Sequence, residues 1–148
     1  MIELSSNGVY LLDGETLVPT SSGADLPAPD AARESTIAYQ VMRAHSRSSD
    51  PQKMRIKFDA LMSHDITYVG IIQTARASGL TRFSIPYAMT NCHNSLCAVG
   101  GTINEDDHVF GLSAAKKYGG IYVPAHQSVI HQYAREEMAG CGKMILRR

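Results

Sequence analysis

Two adjacent polar residues, His64 and Asp65, come just after a short predicted strand that ends at Met62. A carboxylate beside an imidazole can hold the ring in one tautomer or favour its protonated form, as general acid–base catalysis requires. The alternative is that Asp65 caps the helix that follows while His64 faces solvent. The pair is therefore a candidate acid–base site, and both interpretations stay open.

A second polar cluster, Cys92-His93-Asn94-Ser95-Leu96-Cys97, combines two thiols with an imidazole. Thiolate and imidazole are the ligand types of zinc and iron–sulfur sites, but such sites need about four ligands. No second cysteine pair accompanies this one, so the simpler explanation is that the thiols act as small buried hydrophobic groups. The third cysteine, Cys141, is predicted to be structural.

Other polar groups have simpler structural explanations. Asp106-Asp107-His108 is predicted to lie in the first turn of a helix, where carboxylates compensate the helix dipole. His126 and His131 are five residues apart, so they do not share a helical face as a two-histidine metal motif would.

Hydrophobic patterning beyond residue 51 alternates between strands and helices. Strands are predicted within 54–62, 83–89, 121–124 and 143–146, and helices over 69–78, 104–118 and 128–140. Alternation with short links is typical of an α/β fold, a parallel sheet layered between helices. Ligand chemistry in such folds lies past the carboxyl ends of the strands. The residues expected to crowd that edge are His64, Cys92, His93, His126 and His131.

The first part of the chain has a different character. A strand is predicted within residues 7–14, ending in the Asp13-Gly14 turn, and a helix over 35–44 with Ser35 or Thr36 as its cap. Between them, residues 19–33 are rich in proline and small polar side chains and are predicted to form a loop or mobile arm. Two parts are therefore expected, residues 1–51 and residues 52–148.

Composition excludes several functional classes. The 148 residues carry 14 Lys+Arg and 14 Asp+Glu, so nothing in the charge favours binding to nucleic acid or to an anionic membrane. No apolar run approaches the roughly 18 residues of a membrane span, and the N-terminus lacks the pattern of a signal peptide. With an odd number of cysteines, reduced thiols in a cytoplasmic protein are expected.

Several stretches between Met54 and Leu146 resemble the first domain of the aconitase family, which comprises aconitase- and isopropylmalate isomerase-like iron–sulfur hydro-lyases. The matching text is Gly70-Ile71-Ile72-Gln73, Thr90-Asn91-Cys92-His93-Asn94-Ser95-Leu96, Val129-Ile130-His131-Gln132 and Gly142-Lys143-Met144-Ile145-Leu146. The likeness is greatest to a bacterial branch of hydratases. It implies a lyase that adds water to, or removes it from, a small hydroxy-polycarboxylate.

The resemblance also implies roles for individual residues. His131 matches an active-site histidine, and His64-Asp65 falls where the family has a substrate-binding glutamine followed by aspartate. His93 stands in the place of a proton-donating Asp-His pair, where it could act as the acid. Asn94 and Ser95 are implied to contact substrate. No residue of this chain is implied as a metal ligand.

Two departures from the family pattern limit these roles. Cys92-His93-Asn94 replaces the family's Cys-Asp-His, and an amide cannot transfer a proton. The sequence stops at Arg148, where the family continues into a further active-site motif. The expectation is therefore a truncated N-terminal fragment, inactive alone, whose full-length parent holds a [4Fe-4S] cluster through residues elsewhere.

Two other functional classes remain open. One is a non-enzymatic remnant that serves as a carboxylate-binding or interaction module. The other is a small zinc protein using Cys92, Cys97 and histidines. For the fragment, self-association through an exposed sheet edge at residues 143–146 is also expected.

Overall fold

The computed structural model describes residues 4, 7–21, 25–91 and 103–147, which form two compact units, Met1–Met54 and Arg55–Arg148. Each unit is built from its own local elements. The second unit contains the parallel strands together with the helices that cover them. It therefore positions the predicted acid–base residues, and the first unit is described only briefly.

The first unit begins with an antiparallel hairpin of β1 (Val9–Leu12) and β2 (Thr16–Pro19). Asp13 and Gly14 turn the chain with φ of 52° and 77°, which confirms the predicted Asp-Gly turn. Helix α1 (Pro29–Glu34) starts on a proline, whose fixed φ suits a first helical position. β2 ends and α1 begins within the region predicted to be a loop or arm, so that prediction is wrong at both ends.

Helix α2 (Ile37–His45) closes the first unit and confirms the helix predicted over 35–44. The Thr36 hydroxyl accepts a hydrogen bond from the backbone N–H of Tyr39 at 3.2 Å, so Thr36, not Ser35, is the cap.

The second unit is an α/β fold around a four-stranded parallel sheet, as predicted. Its strands are β3 (Ala60–His64), β4 (Tyr87–Thr90), β5 (Ile121–Val123) and β6 (Ile145–Arg147), in the order β5-β4-β3-β6. In register, His64 lies beside Thr90, and Thr90 beside Val123. The carboxyl ends of three strands therefore meet at one edge of the sheet.

Helices cover both faces of this sheet. Helices α3 (Asp65–Ala77) and α4 (Ile103–Tyr118) bury one face, and α5 (Ile130–Tyr133) with the π-helix Ala134–Met138 packs on the other. The core on the α3 and α4 side consists of Tyr68, Ile72, Tyr87, Met89, Ala114 and Tyr118. The core on the α5 side consists of Ala60, Met62, Ala88, Ile130 and Met138. Successive residues of a strand point to opposite faces of the sheet and so contribute to the two cores in turn, which produces the layered arrangement.

The ends of two helices depend on local contacts. Gly79, with φ of 90°, follows α3 as the predicted C-terminal glycine. Ser128 does not cap α5 as predicted, because Val129 occupies the cap position and the Ser128 hydroxyl donates to the Val129 carbonyl at 3.1 Å.

A reciprocal pair of hydrogen bonds joins the segments that lead into β3 and β6. The Asp59 N–H donates to the Met144 carbonyl, and the Met144 N–H donates to Asp59 Oδ2, each at 2.9 Å. The two residues are 85 apart in sequence.

Among the described residues, no helix is long and apolar enough to cross a membrane.

Candidate functional site

Asp65 lies at the junction where β3 runs directly into α3. His64 occupies the N-cap position, so Asp65 is the first helical residue and does not cap the helix as one interpretation predicted. The carboxyl group of Asp65 is buried, and its Oδ1 accepts the backbone N–H of Ile66 at 3.0 Å. A carboxylate is stabilised at this position because the helix dipole presents partial positive charge there.

Two imidazoles face the Asp65 carboxylate, one toward each oxygen. His64 Nδ1 lies 3.7 Å from Oδ1, and His108 Nε2 lies 3.4 Å from Oδ2. A ring nitrogen that faces a carboxylate is favoured to carry the proton, which leaves His64 Nε2 and His108 Nδ1 as the other ring nitrogens. At 3.4 Å, His108 Nε2 can form a hydrogen bond with Asp65 that holds this ring in one tautomer, whereas the 3.7 Å contact of His64 is electrostatic.

The three side chains differ in their access to solvent. The exposed fraction is 22% for His64, 10% for His108 and 7% for Asp65. His64 is therefore the most accessible of the three to a solute, while Asp65 and His108 are nearly enclosed. His64 is the member of the group best placed to exchange a proton with a bound molecule.

A hydrogen-bond network centres on Tyr68, which lies on the same buried face of α3 as Asp65. Its hydroxyl lies 2.5 Å from Asn91 Oδ1 and 2.7 Å from the Asp107 carbonyl oxygen. Asn91 Nδ2 donates in turn to the Val123 carbonyl at 3.0 Å. The network therefore connects α3, the ends of β4 and β5, and the first turns of α4.

Burial changes the titration of two groups in this network. It raises the pKa of the Tyr68 hydroxyl far above the usual range, and the negative charges of neighbouring groups, including Asp65 and Asp107, add to the effect. Burial and the nearby Asp65 also raise the pKa of Asp107, while His108 acts in the opposite direction. Tyr68 therefore stays protonated and can donate its hydrogen at neutral pH.

The sequence predicts only part of this site. Its pattern explains Asp106-Asp107-His108 as a dipole-compensating first turn, whereas the structure places His108 in a buried pair with Asp65. The helical spacing of α4 does indicate that His108 is buried, because it lies on the same face as the other buried residues of this helix. The buried residues of α4 are His108, Gly111, Ala114 and Tyr118. The corresponding buried face of α3 is Asp65, Tyr68 and Ile72, so the two helices meet through these faces.

The other predicted site residues fall partly inside and partly outside the described residues. His131 is exposed on α5, across the sheet from α3 and α4, and His126 has a positive φ of 65°. His93, Asn94 and Ser95 lie outside the described residues, as do the cysteines of the zinc hypothesis, Cys92 and Cys97. Cys141 is exposed, so it fills no core position.

The described residues do not fit a resident iron–sulfur cluster. Within residues 7–21, 25–91 and 103–147, no three His, Cys, Asp or Glu side chains are grouped to hold a metal ion. Cluster binding uses several cysteine thiolates, and Cys141 is a single exposed thiol.

Comparison of the chain with models of protein families, with curated proteins and with solved structures gave no match. The resemblance to the aconitase family consequently rests on the sequence motifs alone.

Proposed function

We propose that this chain contributes part of the active site of a hydro-lyase that reversibly dehydrates a small hydroxy-polycarboxylate. The observation that carries the proposal is the buried Asp65 carboxylate with an imidazole facing each oxygen, at 3.7 Å and 3.4 Å. It lies at the carboxyl-terminal edge of a parallel sheet, where α/β proteins bind ligands. The resemblance to aconitase-like enzymes supports the same substrate class.

Dehydration of a hydroxy acid needs two proton transfers. A base removes a proton from the carbon next to the carbinol carbon, and the carbon–carbon double bond forms as the carbon–oxygen bond breaks. An acid protonates the departing hydroxyl, which leaves as water. An imidazole can fill either role near neutral pH, and Asp65 would stabilise the protonated form of His64 when it acts as the acid.

The resemblance supplies the rest of the proposed site. By the resemblance, His131 and His93 would also transfer protons, and Asp65, Asn94 and Ser95 would bind substrate. The parent enzyme would hold its [4Fe-4S] cluster through residues outside this chain, so this chain alone is proposed to be inactive. We also propose a cytoplasmic location, in keeping with the odd number of cysteines.

A carboxylate-binding module without catalysis is the second candidate. It is favoured by the enclosure of Asp65 and His108, whose side chains are 7% and 10% exposed, because His64 is then the accessible imidazole of the group. One accessible imidazole can bind a carboxylate, but it provides only one of the two proton-transfer groups that dehydration needs.

The first prediction concerns His64. Calorimetric titration of the purified chain with citrate is expected to show binding that His64→Ala weakens about tenfold, or ~1.4 kcal/mol, through loss of a charge-assisted contact. His45→Ala is the matched control, since His45 lies on α2 in the first unit and its Nδ1 pairs with the Val41 carbonyl at 2.7 Å.

Turnover separates the two candidates. After incubation with iron and sulfide, the chain alone should neither show cluster absorbance nor hydrate aconitate. Together with the cluster-bearing segments of the parent, it should hydrate aconitate if it belongs to a hydro-lyase, and binding without turnover would favour the module. Absence of citrate binding by the unsubstituted chain would contradict both candidates.

A further inference from the structure

Tyr68 contacts the backbone immediately before His108. Tyr68 follows Asp65 by three residues on α3, so both side chains lie on the buried face toward α4. The Tyr68 hydroxyl is 2.7 Å from the carbonyl oxygen of Asp107. That carbonyl belongs to the peptide group that joins Asp107 to His108. A hydrogen bond to it therefore restrains the backbone from which the His108 imidazole projects.

Gly111 allows this close approach. A Cβ atom at position 111 would lie 2.5 Å from the Tyr68 hydroxyl oxygen and 2.7 Å from the ring carbon that bears it. Such distances are far below normal van der Waals contact, so a larger residue would displace the tyrosine ring. The absence of a side chain at Gly111 thus lets Tyr68 reach the Asp107 carbonyl. The two helices are tied at two points, Tyr68 to Asp107 and Asp65 to His108.

Asn91 fixes the tyrosine hydroxyl from the other side. Asn91 is fully buried, and its backbone N–H and its Nδ2 both donate to the Val123 carbonyl at 3.0 Å. With Nδ2 committed there, Oδ1 is the atom that faces Tyr68, at 2.5 Å. The single hydroxyl proton therefore lies between two acceptors, Asn91 Oδ1 and the Asp107 carbonyl. The hydroxyl oxygen is held by an anchored residue of the sheet edge.

We propose that Tyr68 is a positioning residue, which holds the His108 imidazole against the Asp65 carboxylate. Its relevance to proton transfer rests on the proposed function. Tyr68 is fully buried and acts through the Asp107–His108 peptide group, not on a substrate. The energetic reason is that the Asp65–His108 distance of 3.4 Å is long for a hydrogen bond, so a small shift of α4 breaks it.

The second prediction tests this role by nuclear magnetic resonance of the imidazole nitrogens. In the unsubstituted chain, His108 is expected in the Nε2–H tautomer with a slowly exchanging ring proton. Tyr68→Phe removes one oxygen atom and should speed that exchange at least tenfold and populate both tautomers. Tyr87→Phe is the matched control, because it removes another buried hydroxyl, which donates to Ser63 Oγ at 2.9 Å, and should leave His108 unchanged.

Two results would overturn the proposal: an unchanged His108 signal in folded Tyr68→Phe, or an equal change in Tyr87→Phe. If Tyr68→Phe does not fold, the proposal is tested on the unsubstituted chain by the exchange rate of the Tyr68 hydroxyl proton. A slowly exchanging Tyr68 hydroxyl proton close to the Gly111 α-protons would support the proposal, and a rapidly exchanging one would refute it. These resonances are measured on the protein without ligand. Failure to bind citrate would therefore contradict the proposed function and leave the test of Tyr68 unaffected.

Discussion

At the residue scale, the sequence reveals neighbours in the chain more readily than neighbours in space. His64 and Asp65 are adjacent, so their pairing could be predicted directly. His108 joins Asp65 across 43 residues, and only the packing of α3 on α4 brings them together. The network of Tyr68 and Asn91 could not be predicted for the same reason: local sequence does not determine which helix faces meet.

The third prediction follows from the buried tyrosines. Burial raises the pKa of Tyr68 and of Tyr87 above the usual 10.0, so both stay protonated in the folded chain at pH values where the unfolded chain ionises. Their stabilising contribution is complete below about pH 10 and is lost as the pH rises through the folded pKa. Above about pH 10, the free energy of unfolding should therefore fall as the pH rises, with a contribution from each tyrosine.

Urea denaturation between about pH 9 and about pH 11 measures this slope. Tyr68→Phe removes one ionisable hydroxyl. The free energy of unfolding of this variant should therefore depend less steeply on pH in the alkaline range. An identical slope in the variant and the unsubstituted chain would show that Tyr68 ionises equally in both states.

At the element scale, helices are easier to predict than the short strands between them. The C-terminal glycine of α3 can be identified because Gly79 follows a helical pattern and only its backbone needs a positive φ. The strands are three to five residues long, so their ends depend on pairing with other strands more than on local pattern. β3 begins at Ala60, although the alternation of residue types starts at Met54.

The fourth prediction compares two glycines on the packed helices. A Cβ atom added at Gly70, inside α3, would meet no other group within 4 Å, so Gly70→Ala should raise the free energy of unfolding by about 0.5–1 kcal/mol. Gly111→Ala should lower it by about 1–3 kcal/mol, because the new methyl group meets Tyr68 at 2.5 Å.

Each variant is the control for the other, since both add one methyl group to a helix. Denaturant midpoints give the two changes. A stabilising Gly111→Ala would mean that α4 does not approach Tyr68 as closely as the structure shows.

At the scale of the whole molecule, the parallel sheet was predictable but its strand order was not. Alternating strands and helices indicate a parallel sheet whichever strands become neighbours. The structure places β6 beside β3, so the strand latest in the sequence pairs with the first strand of the sheet. That choice depends on contacts far apart in the chain, which local patterns do not encode.

The fifth prediction concerns the two edges of the sheet. Among the strands of the described residues, β6 pairs with β3 alone, and its Leu146 is 45% exposed, so the chain is expected to self-associate through this edge. Light scattering over a range of concentrations should show association that Leu146→Lys reduces. Ile121→Lys, at the opposite edge on β5, is the matched control because Ile121 is 41% exposed. A monomer at all concentrations would contradict the prediction.

The reciprocal hydrogen bonds between Asp59 and Met144 have a consequence for the time course of folding. Closing a loop of 85 residues costs about 4 kcal/mol of chain entropy, apart from a constant. During synthesis, β3 leaves the ribosome long before β6 exists, so one side of this central strand has no native partner until residues 145–147 emerge. The nascent chain therefore passes through a stage in which β3 is an open edge, available to incorrect pairing or to a chaperone. The four-stranded sheet therefore cannot be completed before β6 has been synthesised.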